Sequence, residues 1–565
     1  DLHDKYKEKI VKIVRFIASD ELLENIKLSA KQLEFVKTFQ QLSKENPNKK
    51  WIVADLLKKV GFSRAIFNAL VKKEIFIIEQ EGISRLLKSS QELIEDKQLA
   101  DFQQKALEEI QLAFKVKEVC LLHGVTSSGK TELYIKLIEQ QLKQGKQVLY
   151  LLPEIALTTQ IIKRLQKHFG NKVRITHSHL NNGERVEVWK AVQEKDKKKT
   201  QYPIMLGARS ALFLPFNNLG LIIVDEEHDS SFKQHQPAPR YHARDAAIYL
   251  AHLHKAKVLL GSATPCVESY YNAKTGKYAL VEMHTRFAGI ALPKIQTIDI
   301  RKAHLKKQMT QQFAPKMLSA ITETLEAGKQ VILFQNRRGY SPVLSCGTCA
   351  YTPNCNACDV SLTYHKWNNQ LKCHYCGYTE QVPEFCPSCS AKDFSDKGFG
   401  TEQIEESLKE LLPTYVTKRM DYDTTRGKNA HQQIITDFEQ GRIDILVGTQ
   451  MVTKGLDFDN VALVGILNAD SMLHFPDFRA YERAFQLMMQ VAGRAGRKGQ
   501  QGQVLVQTYD EEHEMFGLLK ANDYTSFIRQ QVQERKLFSY PPYNRLIGIT
   551  LKHKNQRKLD ETATA

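Results

Sequence analysis

No stretch of this sequence reaches the ~18–20 consecutive apolar residues that a membrane-crossing helix needs. Its first residues, opening on Asp rather than Met, lack the layout of a secretory signal. Cysteine is scarce outside one block: eight of the ten fall between Cys346 and Cys389, which excludes a disulfide scaffold and points to metal binding in a reducing compartment. The other two, Cys120 and Cys266, lie in apolar or motif context and read as small core residues. Acidic residues are in deficit, 63 against 80 Lys and Arg, leaving a formal charge of +17. Such a surplus favours a polyanionic partner, because Lys and Arg gain by displacing counterions from phosphates. What remains is ordinary globular composition, 42% apolar and 25% charged, over 565 residues. That is room for three to five domains at roughly 100–200 residues each. The expectation is a cytoplasmic protein without a membrane partner.

From Lys31 to about Glu81 the pattern is helical. Leu33, Phe35, Val36 and Phe39 give one apolar face, and Ile52, Val53, Leu56, Leu57 and Val60 a second, ended by Gly61. Ser63 is placed to cap a third helix, and a β-rich IFIIEQEGISRL follows. Three short helices and a hairpin-like stretch suit a winged-helix module; a generic helical subdomain is the alternative. From Leu99 onward, apolar strands alternate with amphipathic helices: VCLLHGV, QVLYLLP, VRITHS, YPIMLGA, LGLIIVDE and AKVLLGSA, then QVILFQNR, IDILVGTQ, VALVGILNAD and QVLVQTY. Buried parallel strands look like this, with active residues at their carboxyl ends. Two parallel-sheet lobes therefore flank the cysteine block. KDKKK at 195–199 reads as a solvated loop, and HSH at 177–179 and HLH at 252–254 lack a third metal ligand nearby.

The first strand leads into Gly124-Val125-Thr126-Ser127-Ser128-Gly129-Lys130-Thr131, a full G-x-x-x-x-G-K-T. Its backbone N–H groups and the helix N-terminus suit a polyphosphate; Lys130 would neutralise β/γ oxygens and Thr131 would ligate magnesium. Downstream, LGLIIVD ends in Asp225-Glu226-Glu227-His228. Asp225 can hold magnesium through water, and Glu226 can orient and deprotonate an attacking water. Near the end, Arg494 and Arg497 sit at i and i+3, on one face of a helix, and fit arginine fingers that stabilise charge on a transferring phosphoryl group. A surface phosphate patch is the bland alternative. The stretch Asp229–Asp245 follows the carboxylates directly and carries Phe232, Lys233, Arg240 and Tyr241: aromatics to stack on bases and cations to hold phosphates. Pro237 and Pro239 disfavour helix there, leaving an extended loop. The alternative is a surface loop packing its aromatics on lobe 1.

The cysteine block holds four CxxC pairs, Cys346/Cys349, Cys355/Cys358, Cys373/Cys376 and Cys386/Cys389. Each spacing lets two thiolates meet one metal at about 2.3 Å, and eight thiolates make two closed, structural Cys₄ zinc sites. Iron–sulfur clusters use the same ligands and are the alternative. Spacing alone does not give the pairing.

In this order the motifs resemble superfamily 2 helicases, and within them the bacterial replication-restart helicases. The residues that carry it are GVTSSGKT (124–131), LLPEIALT (151–158), HSHLNNGER (177–185), GARSALFLPF (207–216), DEEHDSSFKQ (225–234), RYHARD (240–245), GSATP (261–265), NRRGY (336–340), GTQMVTKGLDF (448–458), DFRAYER (477–483) and QVAGRAGR (490–497). The similarity runs from the winged-helix segment to about Arg545. It implies an α/β fold of two RecA-like lobes, preceded by a winged-helix domain (1–90). Lobe 1 would span 91–285 and lobe 2 would span 286–345 and 393–530. A double-zinc module (346–392) would be inserted in lobe 2. The resemblance also implies a 3′-end-binding domain ahead of this chain and a C-terminal domain begun at 531–565, so the chain reads as a core fragment.

By the same resemblance Gln103 contacts adenine, Ser262 and Thr264 couple the lobes, and Gly448, Thr449 and Lys454 line the nucleotide–DNA cleft, with Gly455 on the ATP side. The outer two CxxC pairs would share one zinc and the inner two the other. The implied activity is ATP-dependent 3′→5′ unwinding at stalled or branched replication forks, with Mg²⁺ and ATP, leading to primosome assembly. The implied partners are single-stranded and forked DNA, single-stranded DNA-binding protein and helicase-loading proteins, at the nucleoid. Rivals are an RNA helicase, a duplex translocase, and a zinc-based scaffold with a vestigial ATPase. Intact Lys130, Asp225, Glu226, Arg494 and Arg497 argue against the last.

Overall fold

The computed structural model describes all residues except 1–9, 20–22, 24–25, 47–50, 83–97, 154–158, 178–179, 195–201, 287–291, 336–342, 347–348, 350, 356–357, 359, 366–368, 374–375, 393, 396–399, 422–423, 426–429, 453–457, 497–500, 550, 552–553 and 565. Two compact units emerge, one of residues 1–90 and 178–201, the other of 91–177 and 202–565.

In the first unit, strand β1 (Ile10–Phe16) pairs antiparallel with β3 (Phe76–Gly82) along its whole length and with the short β2 (Trp51–Ile52). Three helices, α1 (Ala30–Glu45), α2 (Val53–Val60) and α3 (Arg64–Lys72), complete a winged-helix domain. Ser29 and Gln32 form a capping box that starts α1, and Gly61, at φ 71°, ends α2 in the left-handed region. The core is aromatic: Phe39 and Phe35 meet Phe76 edge-on at 5.0 and 5.7 Å. Two sequence expectations change. Leu33 is exposed, so the face of α1 is Phe35, Val36 and Phe39. Ser63 stands at the N-cap of α3 but makes no capping bond. Strand β1 had no counterpart in the sequence reading, because its partner is 60 residues and more away.

The second unit begins with α4 (Asp101–Val116). Its first sheet is wholly parallel and contains β4 (Val119–Gly124), β5 (Gln147–Leu151), β6 (Val173–Thr176), β7 (Ile204–Gly207), β8 (Leu219–Asp225), β9 (Lys257–Ser262) and β10 (Ala279–Met283). Their order is β10-β4-β9-β8-β5-β7-β6. Helices α5 (Lys130–Lys143), α6 (Ala243–His254) and α7 (Val267–Lys274) connect them. The second sheet holds β11 (Lys294–Asp299), β12 (Gln330–Phe334), β13 (Thr417–Met420), β14 (Ile445–Gly448), β15 (Val461–Ile466) and β16 (Gln503–Thr508), in the order β11-β16-β15-β12-β14-β13, again all parallel. β4, β5, β7 and β12 are buried at every residue, which is why they read as unbroken apolar runs. The edge strands β10, β11 and β13 are mixed in burial and were not legible as strands.

These are two RecA-like lobes, and the cysteine-rich module lies between β12 and β13. Helix α8 (Ala480–Ala492) is buried almost all round, and α9 (Tyr524–Leu537) runs straight through the boundary expected at residue 530. One apolar core joins the lobes here, with Val267 and Tyr270 of α7 packed among Phe485, Met488, Phe527 and Ile528.

Candidate active site

The nucleotide residues collect at the carboxyl ends of β4, β8, β9 and β14, where parallel strands leave their loops. Gly124 closes β4, and a Cβ there would lie 2.9 Å from Ser128 Oγ and 3.2 Å from Lys130 Cγ, so the loop folds back only over glycine. Ser127 and Gly129 take positive φ (64° and 82°), and Gly129 is the N-cap of α5, whose first residues are Lys130 and Thr131. Val125 N–H donates to Met283 O (3.0 Å), and Arg286 Nε donates to Thr126 O (3.1 Å). Ser127 Oγ and Ser128 Oγ are buried and make no hydrogen bond within the protein, as fits a loop shaped for phosphate oxygens. Lys130 Nζ donates to Gly124 O (2.8 Å); burial lowers its pKa, while Glu226 and Asp225 pull it back up. Gln103 is buried and braces the loop, accepting from Ala100 N–H (3.0 Å) and donating to Ser128 O (3.1 Å).

Asp225 is held by two phenols, Tyr134 Oη at 2.9 Å and Tyr150 Oη at 3.1 Å. Burial first, then the neighbouring Glu226, raises its pKa to about 6. Gly261 on β9 leaves room for the Tyr134 hydroxyl, which a Cβ would overlap. Glu226 turns out of the strand at φ 52°, a strained conformation that aims it at the cleft. Glu227 faces the other way. It is fully buried and accepts from Cys266 N–H (2.7 Å), Ser269 Oγ (2.8 Å) and Arg244 Nη1 (3.1 Å).

The second lobe reaches this group through α8. Gln490 Nε2 donates to Glu226 Oε2 (3.3 Å) and lies 2.7 Å from His228 Nε2, while His228 Nδ1 is 2.7 Å from Ser262 Oγ, which accepts from Thr264 N–H (2.9 Å). Gln486 Nε2 donates to Thr264 O (3.2 Å), and Glu482 accepts from Val267 N–H (2.8 Å). Gly493 presses on Thr126 of the phosphate loop; a Cβ there would come within 2.7 Å of Thr126 Cγ2. Arg494 follows, and burial lowers its pKa against the pull of Glu226. Thr449 Oγ1 and Thr264 Oγ1 are buried without a partner in the protein. Lys454, Gly455 and Arg497, with NRRGY, lie outside the described residues.

His228, Gln486 and Gln490 were missed as site residues. The signal was there: Glu482, Gln486 and Gln490 are polar residues at intervals of four in a largely apolar helix, and so share one face.

The coupling loop is more ordered than expected. Lys233 and His242 form a β-bridge, Gln234 N–H donates to Tyr241 O (2.8 Å), and Arg240 Nε donates to His235 O (3.1 Å). Lys233 and Arg240 are exposed. Phe232, expected to stack on bases, is 1% exposed: it sits in a 3₁₀ turn and packs inward. The ring offered outward is Phe213, 57% exposed and edge-on to Tyr241 at 5.2 Å.

The eight cysteines gather into two clusters, Cys346, Cys349, Cys386 and Cys389, and Cys355, Cys358, Cys373 and Cys376, with the sulfurs of each within 4.8 Å of one another. That is the nested pairing, outer pairs together and inner pairs together. The spacing suits a tetrahedral Cys₄ ion, and both groups fit structural zinc.

Two RecA-like lobes with a phosphate loop, a DEEH strand end, and a glutamine-bearing helix followed by Arg494 closing over them define a superfamily 2 helicase. Family models match accordingly: DEAD/DEAH box helicase at 100–272, helicase conserved C-terminal domain at 378–499, PriA DNA helicase Cys-rich region at 355–381, and the PriA winged-helix domain of Bacteroidota at 18–83. The chain is 41% identical to the replication restart protein PriA of Bacillus subtilis, over 98% of this chain and 69% of that one. It is equally 41% identical to PriA of Synechocystis, over 91% of this chain and 62% of that one. Among solved structures, RecG bound to a three-way DNA junction gives a TM-score of 0.46 at 15% identity, covering 97% of this chain and 61% of that chain. The chain belongs to the PriA family of replication restart helicases.

Proposed function

We propose that this chain is the motor of an ATP-dependent 3′→5′ DNA helicase that acts at stalled or branched replication forks and leads to primosome assembly. The observation that carries the motor is the contact of Gln490, in one lobe, with Glu226 and His228, in the other. The phosphate loop and Lys130 bind the polyphosphate of ATP. Thr131 and Asp225 would hold magnesium, which would supply charge against the phosphoryl oxygens. Glu226 takes the proton of the attacking water, with one oxygen steadied by Gln490. Arg494, with Arg497, offsets charge on the phosphoryl group. Gln490 and Arg494 belong to lobe 2, so hydrolysis needs the lobes closed.

DNA enters this scheme through the loop at 229–245. Its Arg244 grips Glu227, next to the base Glu226, so a strand pulling on Lys233, Arg240 and Tyr241 acts one residue from the chemistry. Polarity, fork preference, single-stranded DNA-binding protein and loader partners rest on family membership; two structural zinc ions rest on the two Cys₄ clusters as well. The same reading puts the protein in the cytoplasm, at the nucleoid, because the proposed substrate is chromosomal forks. Among the described residues, no helix is long and apolar enough to cross a membrane.

The test measures ATP hydrolysis with single-stranded DNA, with RNA and with neither, then unwinding of forks carrying a 3′ or a 5′ loading strand. Stimulation by DNA alone and unwinding from the 3′ tail are expected. Equal stimulation by RNA would turn the reading to an RNA helicase, and stimulation by DNA without unwinding to a translocase.

A further inference from the structure

Helix α9 begins after the last strand of lobe 2, beyond the stretch matched by the helicase models. Its Arg535 is 1% exposed and heads the fully buried side chains in size. Two carboxylates face it from opposite lobes. Nη1 donates to Glu268 Oε1 of α7 at 3.2 Å, and Nη2 pairs with Glu482 Oε2 of α8. Arg479 also pairs with Glu268, and the Arg535 guanidinium lies 5.1 Å from the centre of the Phe478 ring. On the same helix, Tyr524 Oη donates to Pro265 O in lobe 1. Phe478 in turn stacks on Tyr540 at 4.4 Å, and Tyr540 Oη donates to Cys358 O in the cysteine module at 2.9 Å.

Glu482 is buried and Glu268 partly so, and Arg479 pairs with Glu268; a planar, permanently charged fork is the side chain that reaches both carboxylates at once. The consequence lies along α8. Glu482 is at one end of the face that continues through Gln486 to Gln490, and Arg494 follows just past the helix end. A helix transmits a shift of its first turn to its last, because its hydrogen-bonded backbone is stiff.

We infer that Arg535 is a positioning residue for ATP hydrolysis: by clamping Glu482 to Glu268 it seats α8 on lobe 1 and so places Gln490 and Arg494 against Glu226. The inference rests on the ATPase reading above and concerns turnover rather than nucleotide binding, since the phosphate loop, Lys130 and Gln103 lie wholly in lobe 1. The same clamp touches Phe478 and Tyr540, so the cysteine module is mechanically continuous with it.

The experiment compares Arg535→Met and Arg535→Lys with the unaltered protein. It reads kcat and KM for ATP with saturating single-stranded DNA, at a temperature below the melting transition of each variant. Turnover in the unaltered protein comes first; without it the functional reading itself fails. Given turnover, Arg535→Met is expected to lower kcat at least tenfold with KM changed less than threefold. Arg535→Lys, which restores charge but not the two-armed fork, should recover part of kcat. Should Arg535→Met not fold, Arg535→Lys decides alone, by a threefold or greater fall in kcat at constant KM. A folded Arg535→Met with kcat within twofold of the unaltered protein, or one whose loss lies in KM, would overturn the role.

Discussion

Gln490 donates to Glu226 Oε2 across 264 residues of sequence and across the cleft between two lobes. In the proposed mechanism the base is thereby oriented by a side chain that is in place only when the lobes meet. Gln490→Ala should lower DNA-stimulated turnover by ~10²-fold, the scale seen when one preorganised hydrogen bond at a reacting centre is lost. KM for ATP should stay within threefold. Steady-state kinetics decide it, and a fall in nucleotide affinity with kcat intact would assign Gln490 to binding instead.

Lys130→Ala should abolish hydrolysis, a loss of ~10²–10³ or more from missing charge stabilisation, while DNA binding measured by fluorescence anisotropy stays near that of the unaltered protein. Turnover within tenfold of normal would remove the phosphate-loop assignment.

Two phenylalanines separate packing from DNA contact. Phe232→Ala empties a buried site and should cost ~3–5 kcal/mol of stability, visible as a lower melting temperature. Phe213→Ala, at an exposed ring, should leave melting unchanged and reduce the stimulation of ATPase by single-stranded DNA several-fold. Base stacking on one ring is worth ~1–3 kcal/mol. Unchanged stimulation in Phe213→Ala, with loss in Phe232→Ala at a temperature where it is folded, would reverse the assignment.

Elemental analysis should find two zinc ions per chain, and Cys373→Ser should retain one. Cys373 is buried in a cluster separate from that of Cys346, so the outer four thiolates are untouched. ATPase should survive this change better than unwinding. Iron in place of zinc, or loss of both metals in the variant, would contradict two independent Cys₄ sites.

Acid should disarm the site early. Burial and Glu226 raise Asp225 from 3.8 to about 6, so in metal-free protein it takes up a proton as pH falls through about 6. In the proposed mechanism Asp225 holds magnesium as the carboxylate, so magnesium affinity should fall in that range. The sign for stability is the reverse: a carboxyl raised on folding binds more protons folded than unfolded, so its contribution is present below about 4 and is lost as pH rises through about 6. Magnesium titrations with nucleotide at pH 5.5 and 7.5, with Asp225→Asn as control, should show the loss in the unaltered protein only. Equal affinity at both pH values would place magnesium elsewhere.

The motor was legible in the sequence because its local chemistry is local. Gly124 through Thr131 must be contiguous to wrap one phosphate chain, Asp225 and Glu226 must stand at one strand end, and each CxxC must close on one ion. Central strands were legible for the same reason, being buried on both faces and apolar throughout. Edge strands such as β10 and β13 were not, since one side of each lacks a neighbour and their composition relaxes.

What only the tertiary structure decided are relations between distant segments. Spacing could not say which cysteine pairs share an ion; family resemblance implied the nested arrangement, and the folded module brings Cys346 to Cys389 and Cys355 to Cys376. Nor could pattern tell that Phe232 is core and Phe213 surface, since Phe232 lies between Ser231 and Lys233 and Phe213 between Leu212 and Leu214, the reverse of what their burial shows. Gln490 shows in the sequence only as one of three polar residues on a helix face, and Arg535 as an ordinary polar position, until the lobes close. The buried Arg535 between Glu268 and Glu482 then acquires its meaning, because the cost of burying charge depends on what stands opposite, and sequence neighbours do not report that.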